Sequence, residues 1–235
     1  MRTKLRAGRF AGICAVVSLS TLVGGAAARA DDVSLLTQLG LMEGHLTIGH
    51  KLTAAGDTKQ ASLHYHHPMK ELFGAIEADV KAKGGANLGD LLKALEKADE
   101  SGGDVNKAFD AAIVSIDKVE TTIAPSPAMV LASNVGMIQA AAEEYAKAYP
   151  KDALDLLEEY QDSMGFTMVA DEIFDKVKAK LAEKDAAGTE EIAKGLDELL
   201  KAWPALNGPA KPVIDAAGVK ALVDKIAAKA ASFKG

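Results

Sequence analysis

The feature that most restricts the fold is the spacing of helix-breaking residues along a chain that otherwise favours helix. Glycine and proline occur in short clusters, and no segment between them alternates β-branched with polar residues as a surface strand does. The pattern predicts an all-α fold, a bundle of antiparallel helical hairpins with about eight helices. Asp57 and Asp104 are predicted N-caps, and Pro127 is predicted in a first helical turn. The predicted helices are 33–54, 58–82, 88–99, 104–122, 127–148, 151–183, 189–202 and 212–233.

Residues 1–30 have the pattern of a secretory signal peptide. The first ten residues carry only positive charge, an apolar run follows, and small residues precede Asp31. No later run approaches the roughly 20 apolar residues that a membrane-spanning helix needs. We therefore expect a periplasmic mature chain, residues 31–235, that does not insert into the membrane. We expect one helical bundle domain, with a sub-boundary near 124–127.

The predicted mature chain is acidic and has no cysteine. It has 22 basic and 33 acidic residues, a net charge of −11, and Cys14 lies in the signal segment. Nucleic acid is therefore not an expected partner, because phosphate contacts need a basic surface. Metal cations or cationic partners suit this charge better, and neither a disulfide nor a thiolate ligand is available.

All five histidines lie between residues 45 and 67, which is the strongest chemical signal in the chain. On the predicted second helix, His64, His67 and Glu71 are spaced i, i+3 and i+7, so they share one face, separate from the apolar stripe. Imidazole and carboxylate together are ligands for zinc, copper or iron. These three residues are the predicted main ligand set, and His50, His45 or His66 is expected to complete it.

His45 projects from the apolar stripe of the first helix and is expected to be buried. A tight turn after residue 54 brings the first two helices together, so His45 is expected to face residues 66–69 of the second helix, and His50 is expected to lie level with His64. Pro68 interrupts that helix directly after the triplet. Either it bends the helix around the bundle or it orients His64 and His67. Met42 and Met69 keep copper open as the metal, although core filling is the alternative for both.

The helices predicted at 127–148 and after residue 151 carry a group of acidic residues, which either form a solvated face or pack against the histidine hairpin. The group consists of Glu143, Glu144, Glu158, Glu159 and Asp162. Residues 143–166 resemble a segment of the helical periplasmic domain of bacterial high-affinity iron permeases. The resemblance rests on Tyr145, Pro150, Glu159, Tyr160, Met164 and Phe166. It implies an iron-handling or iron-delivery setting.

Motifs of several enzyme and cofactor classes are missing from the sequence. There is no phosphate-binding glycine loop, covalent haem motif, zincin motif or paired Glu-x-x-His of di-iron bundles. We therefore predict a non-enzymatic, exported protein that buffers, senses or delivers iron, copper or zinc. Its expected partners are the metal ion and a membrane transporter or another periplasmic protein. A helical adaptor with pH-responsive histidines is the alternative, and non-covalent haem binding is a further one.

Overall fold

The structure is a computed structural model that describes residues 21–233, with side-chain surroundings from residue 31 onward. Residues 1–20, which contain most of the predicted signal peptide, lie outside the described residues. The described part of the chain is helical, without a strand, which confirms the all-α prediction. The elements are α1 (Thr21–Ala54), α2 (Thr58–His67), a π-helical turn (Pro68–Phe73), α3 (Gly74–Ala82), α4 (Leu88–Ser101), α5 (Val105–Ile123), α6 (Pro127–Ala148), α7 (Leu157–Ala182), α8 (Ala186–Leu200) and α9 (Ala216–Ala230).

Local capping chemistry explains most of the helix starts. Asp57 accepts a hydrogen bond from the backbone N–H of Gln60 at the start of α2, and Asp104 accepts one from Lys107 at the start of α5. Pro127 occupies the first turn of α6. These three predictions are confirmed. If α2, the π-helical turn and α3 are counted as one continuous helix, the described residues contain eight helices, as predicted.

The predicted start of α7 at residue 151 is wrong by six residues. Residues 150–156 form turns and an extended segment, in which Asp152 has a left-handed φ of 53°. The backbone N–H of Leu154 donates to the carbonyl of Ala210, so this segment is held by a distant part of the chain. A tertiary hydrogen bond thus replaces the helical one that local sequence favours.

Two hydrophobic clusters meet along α1. The first is built from α1 to α5 and includes Leu39 and Leu46, while the second is built mainly from α6 to α9 and includes Leu41 of α1. Helix α1 packs against α2, α5, α6 and α7. Polar side chains that α1 places between α2 and α7 therefore lie deep inside the molecule. Among the described helices, none has the length and apolar character required to cross a membrane.

Candidate metal centre

Helices α1 and α7 touch through two glycines beside the candidate site. A Cβ atom added to Gly165 would lie 2.4 Å from the carbonyl oxygen of Gly44, and one added to Gly44 would lie 2.7 Å from the ring of Phe166. Any side chain at Gly165 would therefore separate the two backbones. This contact brings His45, the next residue of α1, within reach of Asp162 on α7.

Helix α2 supplies two more histidines to the same point. Tyr65 packs against Gly49 of α1 and its hydroxyl group lies 2.9 Å from Thr53 Oγ1, which holds α2 against α1. His64 and His67 are three residues apart, so they point to the same side of α2. The π-helical turn begins immediately after them, at Pro68. Such turns often occur at functional sites.

Four side chains converge on one buried point. Nδ1 of His45 and Nδ1 of His64 lie 2.7 and 2.8 Å from Oδ1 of Asp162. Nδ1 of His67 lies 3.2 Å from Nδ1 of His45 and 3.4 Å from Oδ2 of Asp162. The four ligand atoms all lie within 4.8 Å of one another. Each of the four residues is at most 4% exposed.

The outer nitrogens of two of these imidazoles have their own partners. Nε2 of His64 lies 2.9 Å from Oε1 of Gln161, and the amide nitrogen of Gln161 donates to the carbonyl of Leu206 over 3.1 Å. Nε2 of His67 lies 2.6 Å from Oε1 of Glu158. An imidazole that donates an outer N–H to an amide or carboxylate oxygen presents its inner nitrogen to a metal, the arrangement typical of metal-binding histidines.

The electrostatics of the cluster favour a positive charge next to the carboxylate of Asp162. Burial opposes ionisation of Asp162, but the His45 charge and hydrogen bonds from three imidazoles hold its pKa well below the usual range. Burial also opposes protonation of His67. Asp162, Glu71 and Glu158 outweigh that effect and raise the pKa of His67 to about 9. Without a metal, the cluster is therefore a buried cation-carboxylate network at neutral pH.

Three of the six predicted ligands, His45, His64 and His67, meet in this cluster, and His45 is buried as expected. The predicted separation of His64 and His67 from the core is wrong. They are 0% and 4% exposed, because the side of α2 that carries them is covered by α1 and α7.

The structure does not bring His50, His66 or Glu71 into the cluster. Nε2 of His50 lies 2.9 Å from Asn106, and its ring stacks on Phe109. His66 is near the surface, with Nδ1 3.3 Å from Glu96. Glu71, in the π-helical turn, pairs with Lys70. The i+7 spacing assumed a regular α-helix through Pro68, which the π-helical turn replaces, so the predicted His64-His67-Glu71 ligand face is corrected.

Sequence reasoning did not assign Asp162 and Gln161 to the site. The sequence leaves two interpretations open for the acidic segment, and the structure supports packing against the histidines for Glu158 and Asp162. Their i, i+4 spacing on α7 places both on one side of the helix. Gln161 carried no signal, because a single glutamine in a helix is normally exposed.

One comparison with known proteins returned a match. Residues 123–234 match the family model of the iron permease-associated 4-helix bundle domain. The matched part contains Glu158, Gln161 and Asp162, whereas the three histidines of the cluster precede it. This match confirms the predicted partial resemblance at residues 143–166. No match was found among curated proteins or among solved structures.

Proposed function

We propose that this protein binds a transition-metal ion, iron in the first place, at the cluster of His45, His64, His67 and Asp162. The single observation that carries the proposal is the convergence of three imidazole Nδ1 atoms and one carboxylate at a buried point. The match of residues 123–234 to an iron permease-associated domain supports iron as the metal. It also supports a membrane iron transporter as the partner.

The donor set supports Fe²⁺ or Zn²⁺ over Cu⁺. Imidazole nitrogen and carboxylate oxygen suit iron and zinc, whereas Cu⁺ selects sulfur. Met42 is fully buried in the core cluster of α1 to α5, as expected of a core-filling residue. A tetrahedral ion with bonds near 2.1 Å holds its donors roughly 3.4 Å apart. The two shortest contacts, 2.7 and 2.8 Å, need to open by several tenths of an ångström to admit the ion.

The hydrogen-bond directions around His64 support a cation at the centre. Because the Gln161 amide donates to Leu206, its oxygen faces His64 and accepts from Nε2–H. A neutral His64 then presents its Nδ1 lone pair to the oxygen of Asp162, which also carries lone pairs. A proton or a metal ion between them removes this repulsion. At sufficient metal concentration, the ion replaces the protons that hold the cluster together.

We propose a binding role without catalysis, in the periplasm, for the protein after removal of residues 1–30. The four ligands are at most 4% exposed, which suits storage or transfer of an ion better than contact with an organic substrate. The acidic chain favours cations over nucleic acid. Buffering, sensing and delivery of the metal all fit this arrangement, and each requires a site that releases the ion again.

The test combines metal analysis with matched histidine variants. Untagged protein from the periplasm is analysed for metals, and the metal-free protein is titrated calorimetrically with Fe²⁺ under anaerobic conditions and with Zn²⁺. His64→Gln with His67→Gln removes two cluster imidazoles. His50→Gln with His66→Gln removes two histidines that lie outside the cluster. Circular dichroism checks that each variant is folded.

We expect the first pair of substitutions to abolish tight binding and the second pair to leave it unchanged. Equal loss in both variants would indicate adventitious binding by surface histidines. Wild-type protein that contains no metal and binds neither ion would overturn the proposal. The cluster would then act as a buried charge network, in line with the alternative of a pH-responsive adaptor.

A further inference from the structure

The segment between α8 and α9 is fastened to the rest of the molecule by side chains of α6, of α7 and of Tyr149, the residue that follows α6. We call residues 201–215 the strap. Three of its backbone carbonyls accept hydrogen bonds from tyrosine hydroxyl groups: Ala205 from Tyr160, Pro209 from Tyr149, and Ile214 from Tyr145, at 2.8, 2.8 and 2.9 Å. An irregular segment held by buried hydroxyl groups has a defined position, which a change in the supporting helix would alter.

The same turn of α7 holds both the strap and the candidate metal centre. Asp162 points into the histidine cluster, and its two neighbours in sequence point to the strap. Gln161 donates to the carbonyl of Leu206, and Ser163 Oγ accepts from Nε1–H of Trp203 over 2.8 Å. Gln161 and Ser163 are both 0% exposed. Movement of this turn on metal binding therefore reaches the strap directly.

Gln161 is the residue that contacts both parts. Its oxygen accepts from Nε2 of His64, and its amide nitrogen donates to the strap. A backbone carbonyl can only accept a hydrogen bond, so the carbonyl of Leu206 binds the nitrogen of the Gln161 amide. The amide oxygen therefore faces His64. The hydrogen of a neutral His64 is thereby kept on Nε2, and Nδ1 is left free for a ligand.

We infer that Gln161 is a positioning residue that prepares His64 for metal binding and transmits occupancy of the site to the strap. The inference rests on the proposed function, because it presupposes metal binding at the cluster. It adds to that function a route by which a partner contacting the strap distinguishes the loaded protein from the empty one. The strap reaches the surface at Val213, which is 57% exposed.

Trp203 makes the inference measurable, since it is the only tryptophan of the chain and lies in the strap. Its indole N–H donates to Ser163, one residue after Asp162. Zn²⁺ is the probe because it is redox-inert. A change in Trp203 fluorescence on Zn²⁺ binding then reports a change in the surroundings of the indole. Calorimetry on the same samples gives the affinity.

Two substitutions separate the two contacts of Gln161. Gln161→Met keeps the length of the side chain and removes both hydrogen bonds. Gln161→Glu keeps an oxygen acceptor for His64 and removes the amide donor to Leu206. Thr167→Val is the matched control. It removes a buried hydrogen bond within the same helix, from Thr167 Oγ1 to the carbonyl of Ser163, and this bond involves no side chain of the cluster and no residue of the strap.

We expect Gln161→Met to weaken Zn²⁺ binding by about 10- to 100-fold, the usual effect of losing an outer-shell partner of a ligand histidine. It should also abolish the Zn²⁺-dependent change in Trp203 fluorescence. Gln161→Glu should restore affinity to within a few-fold of wild type, while the fluorescence change stays reduced. Thr167→Val should match wild type in both measurements, even if its melting temperature falls.

The inference is overturned if wild type binds Zn²⁺ and Gln161→Met binds it equally well with the same fluorescence change. It is also overturned if Thr167→Val loses as much affinity as Gln161→Met, since general destabilisation would then explain both. Wild type that fails to bind Zn²⁺ and Fe²⁺ rejects the proposed function itself. The two failures are therefore distinguishable.

Discussion

Asp162→Asn tests the central charge of the cluster in the metal-free protein. Asp162 is 4% exposed and is the partner of three imidazoles, one of which, His67, has a pKa of about 9 and is cationic at pH 7. Asparagine keeps the size of the side chain and removes its charge. A buried cation without its partner costs about 3–5 kcal/mol of the free energy of unfolding. This is a large part of the total stability of a typical domain.

The stability lost on Asp162→Asn should be smaller at high pH than at neutral pH. The pKa of His67 is raised above its ordinary 6.5 to about 9, so its contribution to stability is complete below 6.5 and disappears as the pH rises through about 9. At pH 10 the imidazole is neutral, and Asp162→Asn should cost only the lost hydrogen bonds, about 1–2 kcal/mol. The cost of the substitution should therefore fall from pH 7 to pH 10.

Urea unfolding of the metal-free protein, followed by far-ultraviolet circular dichroism at both pH values, measures these costs. Asp175→Asn is the control, because Asp175 is an exposed acid on the same helix. It should change the free energy of unfolding by no more than about 0.5 kcal/mol. A loss under about 1 kcal/mol for Asp162→Asn at pH 7 would refute the reasoning. An equal loss at both pH values would show that His67 is not the buried cation.

Three further predictions concern the Zn²⁺ affinity, the pH dependence of stability and the contact between α1 and α7. Zn²⁺ affinity should rise from pH 7 to pH 9, because His67, whose pKa the neighbouring carboxylates raise to about 9, must lose its proton to bind the ion. Calorimetry in two buffers of different ionisation enthalpy counts the released protons, and an affinity that does not change with pH contradicts this prediction. Glu43→Gln should raise the melting temperature by a few degrees at pH 8 and not at pH 5. Burial raises the pKa of Glu43 to about 7, so the folded protein loses stability as the pH rises through that value. Thermal unfolding at both pH values measures this, and a higher melting temperature at pH 5 would contradict the prediction. Gly165→Ala should lower stability by more than about 2 kcal/mol and weaken Zn²⁺ binding, because its Cβ would lie 2.4 Å from the Gly44 carbonyl. Gly74→Ala is its control, because the added Cβ would meet nothing within 4 Å beyond the neighbouring residues and backbone of its own helix, and it should be neutral or stabilising. Equal effects of the two substitutions would contradict the close approach of α1 and α7.

The sequence alone determined the helical class and most helix ends, because these depend on neighbours within one turn. Asp57 and Asp104 cap their helices through contacts three residues away, as predicted. The concentration of histidines in 23 residues also indicated the hairpin that supplies three residues of the cluster, since His64 and His67 need only helical spacing to share a side. The resemblance at residues 143–166 pointed to the family of the matched domain.

Only the tertiary structure decided which polar residues meet. His45 and Asp162 are 117 residues apart in sequence, and their contact depends on the close approach of α1 and α7 at Gly44 and Gly165. Periodicity shows which residues share a face of one helix, but not which other helix covers that face. The sequence therefore places His64 on a ligand face separate from the apolar stripe, whereas α7 covers that face and supplies the carboxylate. The buried position of Gln161 has the same cause, because it depends on a strap that joins two helices much later in the chain.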